Sequence, residues 1–455
     1  MKKMKVLTAV LFVMMLVVTA CSGGSGGNGG NGGNSPEPSG ASTPEASQEP
    51  VVSEEPARID LGGRTVRIAA WWDEKPKGET AGEKARLEKM AQLEKDYNFK
   101  FEFINIPFDE YMDKFTTTVL AGEPFADVLA MEYKRAIVPV KSGQVLPLSE
   151  FTTSASNINN DQMLVVKLPP LGGGEYAFSP PSVSVVGMHY NRELFKQLGL
   201  PDLQELYANG EWNWEKFLEV AKSATRDTDN DGKLDKFGYS GWPADLARHF
   251  AAANGVAFVD DATLTDQSGD PKMLEALEFV NRIVNVENVM KVKTGNKMDW
   301  NETNTFKDGD VAMSIQYDWN IGDLSFEAGV VPIPAGPQSD GKHTYANTAL
   351  NGWFIPKGVK DPQLVYQIFE EMRDVPPTEE YVGQDWLEAR YKTEGDIQIA
   401  LEKINGTGLI SIEEGIPDYP FYTIMDEIIL QNQSVTATVE KHKATAEAAL
   451  QKVGQ

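Results

Sequence analysis

Residues 64 to 131 alternate between two hydrophobic periods, and this alternation constrains the fold more than any other feature of the sequence. Stretches with a period of two predict strands, and stretches with a period of three to four predict amphipathic helices. In chain order these stretches are RTVRIAAWW, EKARLEKMAQLEKDYN, FKFEFINI, FDEYMDKFTTTVLAG and ADVLAM. Strand, helix, strand, helix, strand is typical of a parallel sheet covered by helices on both faces, so the pattern predicts an α/β fold.

The middle of the chain repeats the alternation. Asn191 is placed to cap one predicted helix and Gly199 to end it, while Trp212 and Trp214 are predicted to pack on a helix face. A chain of 455 residues exceeds one core of ordinary size. We therefore predict two α/β lobes with more than one crossover between them, and a mostly helical end from about Glu379. The predicted elements of the middle are SVVGMHY, NRELFKQLGLP, WNWEKFLEVAKSAT and DVAMSIQYDW.

The N-terminus has the pattern of a bacterial export signal. Three lysines precede an apolar run that is too short to span a bilayer comfortably, and small residues then lead to Cys21. The stretch VTAC resembles a bacterial lipobox, which implies removal of residues 1–20 and acylation of Cys21. A plain secretory signal with an incidental cysteine is the alternative. Because Cys21 is the single cysteine of the chain, we expect no intrachain disulfide.

Residues 21–57 are rich in Gly, Ser and Asn and then in Pro and Glu, and they include no basic residue. Such a composition cannot bury enough apolar surface to fold, so we predict a disordered linker that holds the folded part off a membrane surface. The formal net charge of the chain is −25. This charge argues against nucleic acid as a partner, because phosphate contacts need clustered lysine and arginine.

No enzyme motif stands out in the predicted folded part. The four histidines form no H-E-x-x-H pattern, and this part of the chain contains no G-x-S-x-G elbow. Carboxylates are abundant enough for a glycosidase pair, but nothing in the sequence singles out two of them. We therefore predict a protein without catalytic residues and keep a glycan-active hydrolase as an alternative.

Aromatic, acidic and amide side chains follow the predicted strands at the points where the strands end. Ligands of open α/β sheets sit beyond the carboxyl ends of strands. Sugars present flat faces that aromatic rings cover, surrounded by hydroxyls that Asp, Glu and Asn bind. Ordinary core packing is the alternative for each tryptophan. The candidate ligand-binding residues are Trp72, Asp73, Glu132, Trp242, Asp318, Trp319, Asn351 and Trp353.

The stretch DTDNDGKLD, residues 227–235, has the spacing of a calcium-binding loop. Gly232 permits the turn that such a loop needs, but Gly238 stands where the closing bidentate Glu would be expected. Another segment or water would have to complete the shell, and an Asp-rich turn without metal is the alternative. The predicted ligands are Asp227, Asp229, Asp231 and Asp235 through their carboxylates and Lys233 through its carbonyl. We expect calcium here to be structural rather than regulatory.

Several motifs, in their order, resemble those of the extracellular solute-binding proteins of ABC importers, in particular the maltose-binding-protein-like sugar receptors. These motifs are EPFADVLAM, VGMHYNRELFKQLGL, WNWEKFLEVAKSATRDTDNDGKLDKFGYS, FKDGDVAMSIQYDWNI, VVPIPAGP and NGWFIPKG. The resemblance implies a two-lobed periplasmic-binding-protein fold, in which each lobe is a mostly parallel sheet flanked by helices and hinge segments join the lobes. It also implies that Trp319 stacks on a ligand. By analogy, lobe I comprises residues 58–182 and 330–373, and lobe II comprises residues 183–329 and 374–455.

This resemblance implies a substrate-binding lipoprotein that captures an oligosaccharide between its lobes and delivers it to the permease subunits of an ABC importer. We expect a monomer that is anchored by lipid to the outer face of the cytoplasmic membrane of a Gram-positive bacterium. Two alternatives stay open. One is a surface-tethered glycan-active hydrolase, and the other is a calcium-dependent adhesive lipoprotein.

Overall fold

A computed structural model describes residues 60–152, 164–167, 174–179, 186–381, 383–404 and 408–454. The chain divides into two units, Met1–Ala57 and Arg58–Gln455, and the description concerns the second. The predicted signal peptide, Cys21 and the predicted linker lie outside the described residues. None of the helices in the described ranges is both long enough and apolar enough to cross a membrane.

The first sheet begins with the alternating segment of residues 64–131. Its first three strands are parallel neighbours joined by helices, with Val66 opposite Phe101 and Ile68 opposite Val128, and this confirms the predicted alternation. The sheet consists of β1 (Thr65–Ala70), β2 (Lys100–Asn105), β3 (Val128–Glu132), β4 (Leu164–Lys167), β5 (Glu175–Ser179) and β13 (Asn351–Phe354). The strand order is β2-β1-β3-β13-β5-β4.

The second sheet is formed by the middle of the chain. Its strands are β6 (Val186–Asn191), β7 (Phe237–Tyr239), β10 (Val311–Tyr317) and β11 (Ala328–Val331), in the order β11-β6-β10-β7. Two small pairs accompany the sheets, and they are formed by β8 (Val259–Asp260) with β9 (Thr265–Asp266) and by β12 (Ala346–Asn347) with β14 (Leu409–Ile410).

Both sheets are mixed, which corrects the expectation of mostly parallel sheets. In the first sheet, β13 runs antiparallel to β3 and β5, and β5 runs antiparallel to β4. In the second sheet, β6 runs antiparallel to β10 and β11, while β7 and β10 are parallel. The physical reason lies in the connections. Strand β13 returns from the second sheet and enters the first one against the direction of β3.

Helices connect and cover the strands. Thr80 forms a capping box at the start of the first helix, and Asn191 caps the fourth helix while Gly199 ends it in the left-handed region, as predicted. The helices are α1 (Ala81–Asp96), α2 (Phe108–Leu120), α3 (Tyr133–Lys141), α4 (Arg192–Leu198), α5 (Leu203–Ala208), α6 (Trp214–Ala224), α7 (Pro243–Ala253), α8 (Pro271–Asn281), α9 (Trp300–Thr303), α10 (Pro362–Arg373), α11 (Gln384–Arg390), α12 (Glu394–Ile404), α13 (Phe421–Ile429) and α14 (Val435–Gly454).

Two large apolar clusters hold these layers together. One packs α1 and α10 onto a face of the first sheet, and the other packs the second sheet together with most of the remaining helices. Trp212 and Trp214 are buried in the second cluster, where Trp214 stacks on Phe279 at 4.8 Å. The prediction that these two tryptophans are packing residues is therefore confirmed.

The chain passes from the first sheet to the second between β5 and β6, and it returns between β11 and β13. The first passage falls partly outside the described residues. The predicted lobe boundary at residue 330 falls inside β11, which belongs wholly to the second sheet. The remaining lobe boundaries stay a prediction.

Candidate functional site

A cavity of about 460 Å³ lies between the end of β3 in the first sheet and the ends of β7 and β10 in the second sheet. Its position follows from the chain direction, because the carboxyl ends of parallel neighbours meet at one edge of a sheet. From the first sheet come Phe108, Glu132, Lys134 and Arg135. The other lining residues are Tyr239, Gly241, Trp242, Asp245, Arg248, His249, Trp300, Asn304, Ile315, Gln316, Tyr317, Trp319, Asn320, Thr348, Ala349 and Glu414.

Aromatic rings cover much of this lining. Trp319 stacks on Tyr317 with 4.2 Å between ring centroids and 11° between ring planes, and 46% of its surface is exposed. Trp300 is 48% exposed. The indole of Trp242 is fixed, because its Nε1–H donates to the carbonyl oxygen of Met298 at 2.8 Å. Flat, rigid and accessible rings of this kind suit the apolar faces of a ligand.

The lining also includes charged side chains, and they are paired. On the first-sheet side, Arg135 Nε lies 2.8 Å from a carboxylate oxygen of Glu132. Lys134 Nζ lies 2.7 Å from Glu414 and 3.8 Å from Glu132. Arg248 is 3% exposed, and it contacts Asp245 at 2.9 Å.

Two carboxyl groups of this network have pKa values shifted in opposite directions. Burial raises the pKa of Glu132 and outweighs the opposing effect of Lys134 and Arg135. Burial would also raise the pKa of Glu414, but Lys134 and Arg248 outweigh it and lower that pKa to about 2. The carboxylate of Glu414 is therefore firmly ionised at neutral pH.

The charges of the lining compensate one another. Its three cations are Lys134, Arg135 and Arg248, and its three carboxylates are Glu132, Asp245 and Glu414. Since each cation contacts one of these carboxylates, the cavity offers many hydrogen-bonding atoms without a strong excess of either sign. Such a lining suits an uncharged polar molecule better than an ion.

The profile of the bacterial extracellular solute-binding protein family matches residues 77–374, about two thirds of the chain. The chain is a bacterial extracellular solute-binding protein. The family is one of binding proteins rather than enzymes. A comparison with curated protein sequences finds no match.

Solved structures show the same fold at low sequence identity. An ABC substrate-binding protein from Listeria monocytogenes in complex with cycloalternan is 17% identical, with a TM-score of 0.61, over 86% of this chain and 99% of that one. The maltose/maltodextrin-binding domain MalE from Bdellovibrio bacteriovorus, bound to maltotriose, is 18% identical, with a TM-score of 0.57, over 85% and 100%. A solute-binding protein from Thermotoga lettingae, bound to α-D-tagatose, is 18% identical, with a TM-score of 0.58, over 86% and 100%. This solute-binding protein therefore has the two-lobed periplasmic-binding-protein fold.

Three of the eight candidate ligand-binding residues line the cavity of this solute-binding protein, namely Glu132, Trp242 and Trp319. Asn351 is not a lining residue; it lies on β13 opposite Glu132, its antiparallel partner on β3. The Oδ1 atom of Asn351 is buried without a hydrogen-bond partner among the described residues. Asp318 is fully buried beneath Trp319, and its Oδ2 accepts the Nε1–H of Trp386 at 2.9 Å.

The structure does not bring the other three candidates to the cavity. Trp353 is 5% exposed and packs in the core of the first sheet, where Trp72 contacts it at 5.8 Å between ring centroids. The Nε1–H of Trp72 donates to Glu74 at 2.8 Å. Asp73 points to solvent and pairs with Lys77 at 3.4 Å. Trp72 and Asp73 follow the first strand, but one packs on the core and the other faces solvent, so neither lines the cavity.

Sequence reasoning missed several lining residues. Lys134 and Arg135 lie two and three residues after Glu132, in the first turn of α3, so their position near the strand end was a usable signal. Pro243 at the start of α7 was another signal, because proline favours the first helical turn and places Asp245 and Arg248 on one helix face. Trp300 and Glu414 lie in short elements without periodicity, and no comparable signal marks them. These last two come from segments that only the tertiary fold brings to the cavity.

The Asp-rich loop of residues 227–235 connects α6 to β7, away from the cavity lining. Carboxylate oxygens of Asp227, Asp229 and Asp235 lie within 4.8 Å of one another. In the described part of the chain, no lysine or arginine lies within ion-pair distance of these three carboxylates. Three converging carboxylates that lack an ion-pair contact in the described residues are donors that fit a hard cation such as calcium.

The backbone of the loop is consistent with that fit. Gly232 has a φ of 88°, and its N–H donates to Oδ2 of Asp227 at 2.9 Å. Asp231 is not among the three converging carboxylates, and its Oδ1 accepts the N–H of Lys233 at 2.8 Å. The carbonyl of Lys233 stays a predicted ligand. A Cβ at Gly238 would lie 2.2 Å from the carbonyl oxygen of Ala221 in α6. The close approach of that helix explains why no glutamate occupies the position of the closing ligand.

Proposed function

We propose that this solute-binding protein captures an uncharged carbohydrate in the cavity between its two sheets and delivers it to the permease subunits of an ABC importer. The observation that carries the proposal is the combination, in one cavity, of accessible aromatic rings with polar groups whose charges are already paired. Neither feature alone would distinguish a sugar site from a hydrophobic pocket or an ion site. Neighbours that share the fold are bound to cycloalternan, maltotriose and tagatose, which supports the same ligand class.

The physical reason lies in the structure of sugars. A pyranose ring presents a face of C–H groups, which loses contact with water when it stacks on Trp319 or Trp300. Its hydroxyls are both donors and acceptors, so they need carboxylates on one side and guanidinium, ammonium or amide N–H groups on the other. Glu132 at the end of β3 and Arg135 in the first turn of α3 offer both kinds of group. Asn351, the strand partner of Glu132, stays a proposed acceptor.

The hydrolase alternative has one observation in its favour, because Glu132 and Glu414 have pKa values shifted in opposite directions. Glycosidases use two carboxyl groups whose environments separate their pKa values in this way. Both groups, however, belong to one ion-pair network around Lys134, and structural ion-pair networks shift pKa values without any catalytic role. We therefore propose binding without chemical change. Release of new reducing ends from an oligosaccharide panel by the purified protein would favour the alternative.

Calorimetric titration with a panel of neutral and acidic oligosaccharides tests the proposal. We expect one or more neutral members to bind, and we expect Trp319→Ala to weaken that binding by about 2 kcal/mol, roughly 30-fold. Trp72→Phe is the matched control, because Trp72 does not line the cavity and phenylalanine keeps its apolar packing. Absence of binding across the panel, or equal losses in both variants, would contradict the proposed site.

The lobes are proposed as segments 58–182 with 330–373 and 183–329 with 374–455, and they would close on the ligand about the segments that join the two sheets. Closure of the lobes would make the molecule more compact. Small-angle scattering should show a smaller radius of gyration when a sugar that binds in calorimetry is added. An unchanged radius with saturating sugar would mean that the cavity binds without closure.

We also propose that the mature protein is a monomer held by acyl chains on Cys21 at the outer face of the cytoplasmic membrane, with residues 21–57 as a flexible linker. The support is the order of lysines, apolar run, small residues and cysteine in the sequence. Two acyl chains hold a protein stably at a membrane, whereas one holds it marginally. Cys21→Ser should release the protein into the medium and abolish labelling by palmitate. Retention of the Cys21→Ser protein in the membrane fraction would contradict the anchor.

Finally, we propose calcium as a structural ion of the Asp-rich loop, held by Asp227, Asp229 and Asp235, with Asp231 and the carbonyl of Lys233 as further ligands. When bound, the ion would neutralise the clustered carboxylates and fix the connection between α6 and β7. The adhesive alternative would require calcium for binding a partner. A structural ion requires only that its removal lowers stability.

A further inference from the structure

Outside the cavity, one exposed tryptophan is held more firmly than a surface residue needs to be. Trp386 in α11 is 38% exposed. Its Nε1–H donates at 2.9 Å to Oδ2 of Asp318, a residue that is fully buried. The guanidinium carbon of Arg390 lies 3.1 Å from the centroid of the ring, and its Nε donates to the backbone oxygen of Asp318 at 3.0 Å. Asp318 thus fixes the edge of the ring and also the cation that covers part of it.

The anchor places Trp386 beside the cavity. Asp318 begins a short 3-10 turn, Asp318–Asn320, and the next two residues of that turn, Trp319 and Asn320, both line the cavity. Trp386 is therefore one hydrogen bond away from a lining segment, although it is not itself part of the lining. Because Trp386 is not among the lining residues, only a ligand that extends beyond the cavity over this turn can reach its ring.

A purely structural role for Trp386 does not explain why its ring is exposed. Burying the carboxylate of Asp318 costs free energy unless hydrogen bonds compensate, so this residue has a real role in holding the indole. A tryptophan that only tied α11 to the turn would be more stable with its ring buried. A ring that is fixed at its edge and left partly open has little conformational freedom to lose when a ligand stacks on it.

We propose that Trp386 is a second stacking platform, which receives a sugar unit of an oligosaccharide that extends out of the cavity past Trp319. The inference rests on the proposed function and deepens it, because it assigns the ligand to chains longer than the cavity holds. Asp318, which the sequence predicts to be a ligand-binding residue, is then a positioning residue. It holds Trp386 in place and does not itself contact the sugar. Affinity should therefore rise at the chain length at which the ligand first reaches Trp386.

The test is calorimetric titration of the full chain with malto-, cello-, xylo- and manno-oligosaccharides of increasing length. For the series that binds, we expect the wild-type affinity to rise by about tenfold at one added sugar unit, which is the usual strength of one additional aromatic stack. Trp386→Ala should remove that step and leave the affinity for the shortest bound member within about twofold. Trp386→Phe, which keeps a ring but loses the N–H anchor, should restore part of the step.

Two further variants separate positioning from folding. Asp318→Asn keeps an oxygen that accepts the Nε1–H, but loses the charge that strengthens this bond, so it should reduce the step without affecting the shortest member. Val286→Ala is the control, because it truncates an exposed apolar side chain that does not line the cavity, and it should leave the whole series unchanged. Thermal melting of each variant shows whether it is folded.

The outcomes distinguish failure of the inference from failure of the proposed function. If the wild type binds a series but shows no step, or if Trp386→Ala weakens every member equally, Trp386 only ties α11 to the turn and the inference is overturned. If the wild type binds no member of any series, the proposed function fails and the platform fails with it.

Discussion

The cavity and the Asp-rich loop both concentrate carboxylates, yet they treat these groups in opposite ways. In the cavity, Glu132 is buried and Glu414 is partly exposed, and both lie close to Lys134. In the loop, carboxylates of Asp227 and Asp229 converge with a third one within 4.8 Å and accept hydrogen bonds from backbone N–H groups.

The difference shows that the position of countercharges, and not acidity, decides what an acidic cluster suits. A cluster whose charges are compensated by the protein offers directional hydrogen bonds and favours an uncharged polar ligand. A cluster whose charges are left uncompensated favours a cation. Removing a cationic side chain from the cavity, or adding a cation to the Asp-rich loop, should therefore change the stability of the protein by different amounts.

Removal of the most buried countercharge should have the largest effect. Arg248 is 3% exposed and lies 2.6 Å from Glu413, which is 1% exposed. Arg248→Ala leaves that carboxylate buried without its cation, so we expect a loss of about 3–5 kcal/mol in the free energy of unfolding, measured by urea denaturation. Arg282→Ala is the control, because Arg282 is 43% exposed and its ion pair with Glu287 should contribute less than about 1 kcal/mol. Equal losses of unfolding free energy in the two variants would mean that the buried ion pair of Arg248 and Glu413 contributes no more than an exposed one.

The second largest effect should come from pH. The pKa of Glu414 in the folded state is about 2, below its ordinary value of 4.5, so its ion pairs stabilise the protein above about pH 4.5. This contribution stays below about 3 kcal/mol because water screens the partly exposed side chain of Glu414, and it is lost as the pH falls from 4.5 through 2. The raised pKa of Glu132 acts in the opposite direction, because protonation relieves its burial penalty.

The control for this pH dependence is Glu414→Gln, which should show a flatter profile of unfolding free energy between pH 5 and pH 2. The variant also leaves Lys134 with a weaker partner, so its stability at pH 7 should be lower than that of the wild type. An identical slope in both proteins would show that other carboxyl groups cause the acid sensitivity.

Much of the fold followed from the sequence because local patterns carried it. The three parallel strands and two helices of residues 64–131, the cap at Asn191 and the packing of Trp214 depend on hydrophobic period and on local side-chain chemistry, which a single segment displays. The relative direction of the strands could not be predicted from the sequence. Whether β13 joins β3 parallel or antiparallel depends on the route of the chain from the second sheet, and no local pattern records that route.

The candidate site was predictable where it depends on strand ends. Glu132, Trp242 and Trp319 lie at such ends, and the structure places all three on the cavity. Trp353 also lies on a sheet strand, but its side chain faces the core, and the sequence does not say on which face each end residue falls. Glu414 comes from a short turn that reaches the cavity only because a Cβ is absent at Gly415, where one would lie 1.8 Å from the carbonyl oxygen of Lys134.

A smaller effect should come from the glycine that stands where a calcium loop of the sensor type has its closing glutamate. At Gly238 a Cβ would lie 2.2 Å from the backbone oxygen of Ala221, so Gly238→Ala must displace α6 and should cost about 2 kcal/mol or more. The control is Gly232→Ala. Nothing lies near that position, but its φ of 88° makes a side chain cost about 1 kcal/mol. If Gly238→Ala were tolerated better than Gly232→Ala in urea denaturation, packing would not explain the missing glutamate.

The smallest effect should be that of calcium, because it acts on an exposed loop. An extracellular site with a Kd near 1 mM gains about 1.4 kcal/mol at 10 mM calcium, which raises the melting temperature by a few degrees. Asp229→Asn should abolish this rise, whereas Asp340→Asn, an exposed aspartate outside the loop, should preserve it. Chelation should leave the Kd for a bound sugar unchanged, because the loop and the cavity lining share no residue. Loss of sugar binding on chelation would instead show that the loop affects the cavity. The ion would then be required for sugar recognition and not only for stability.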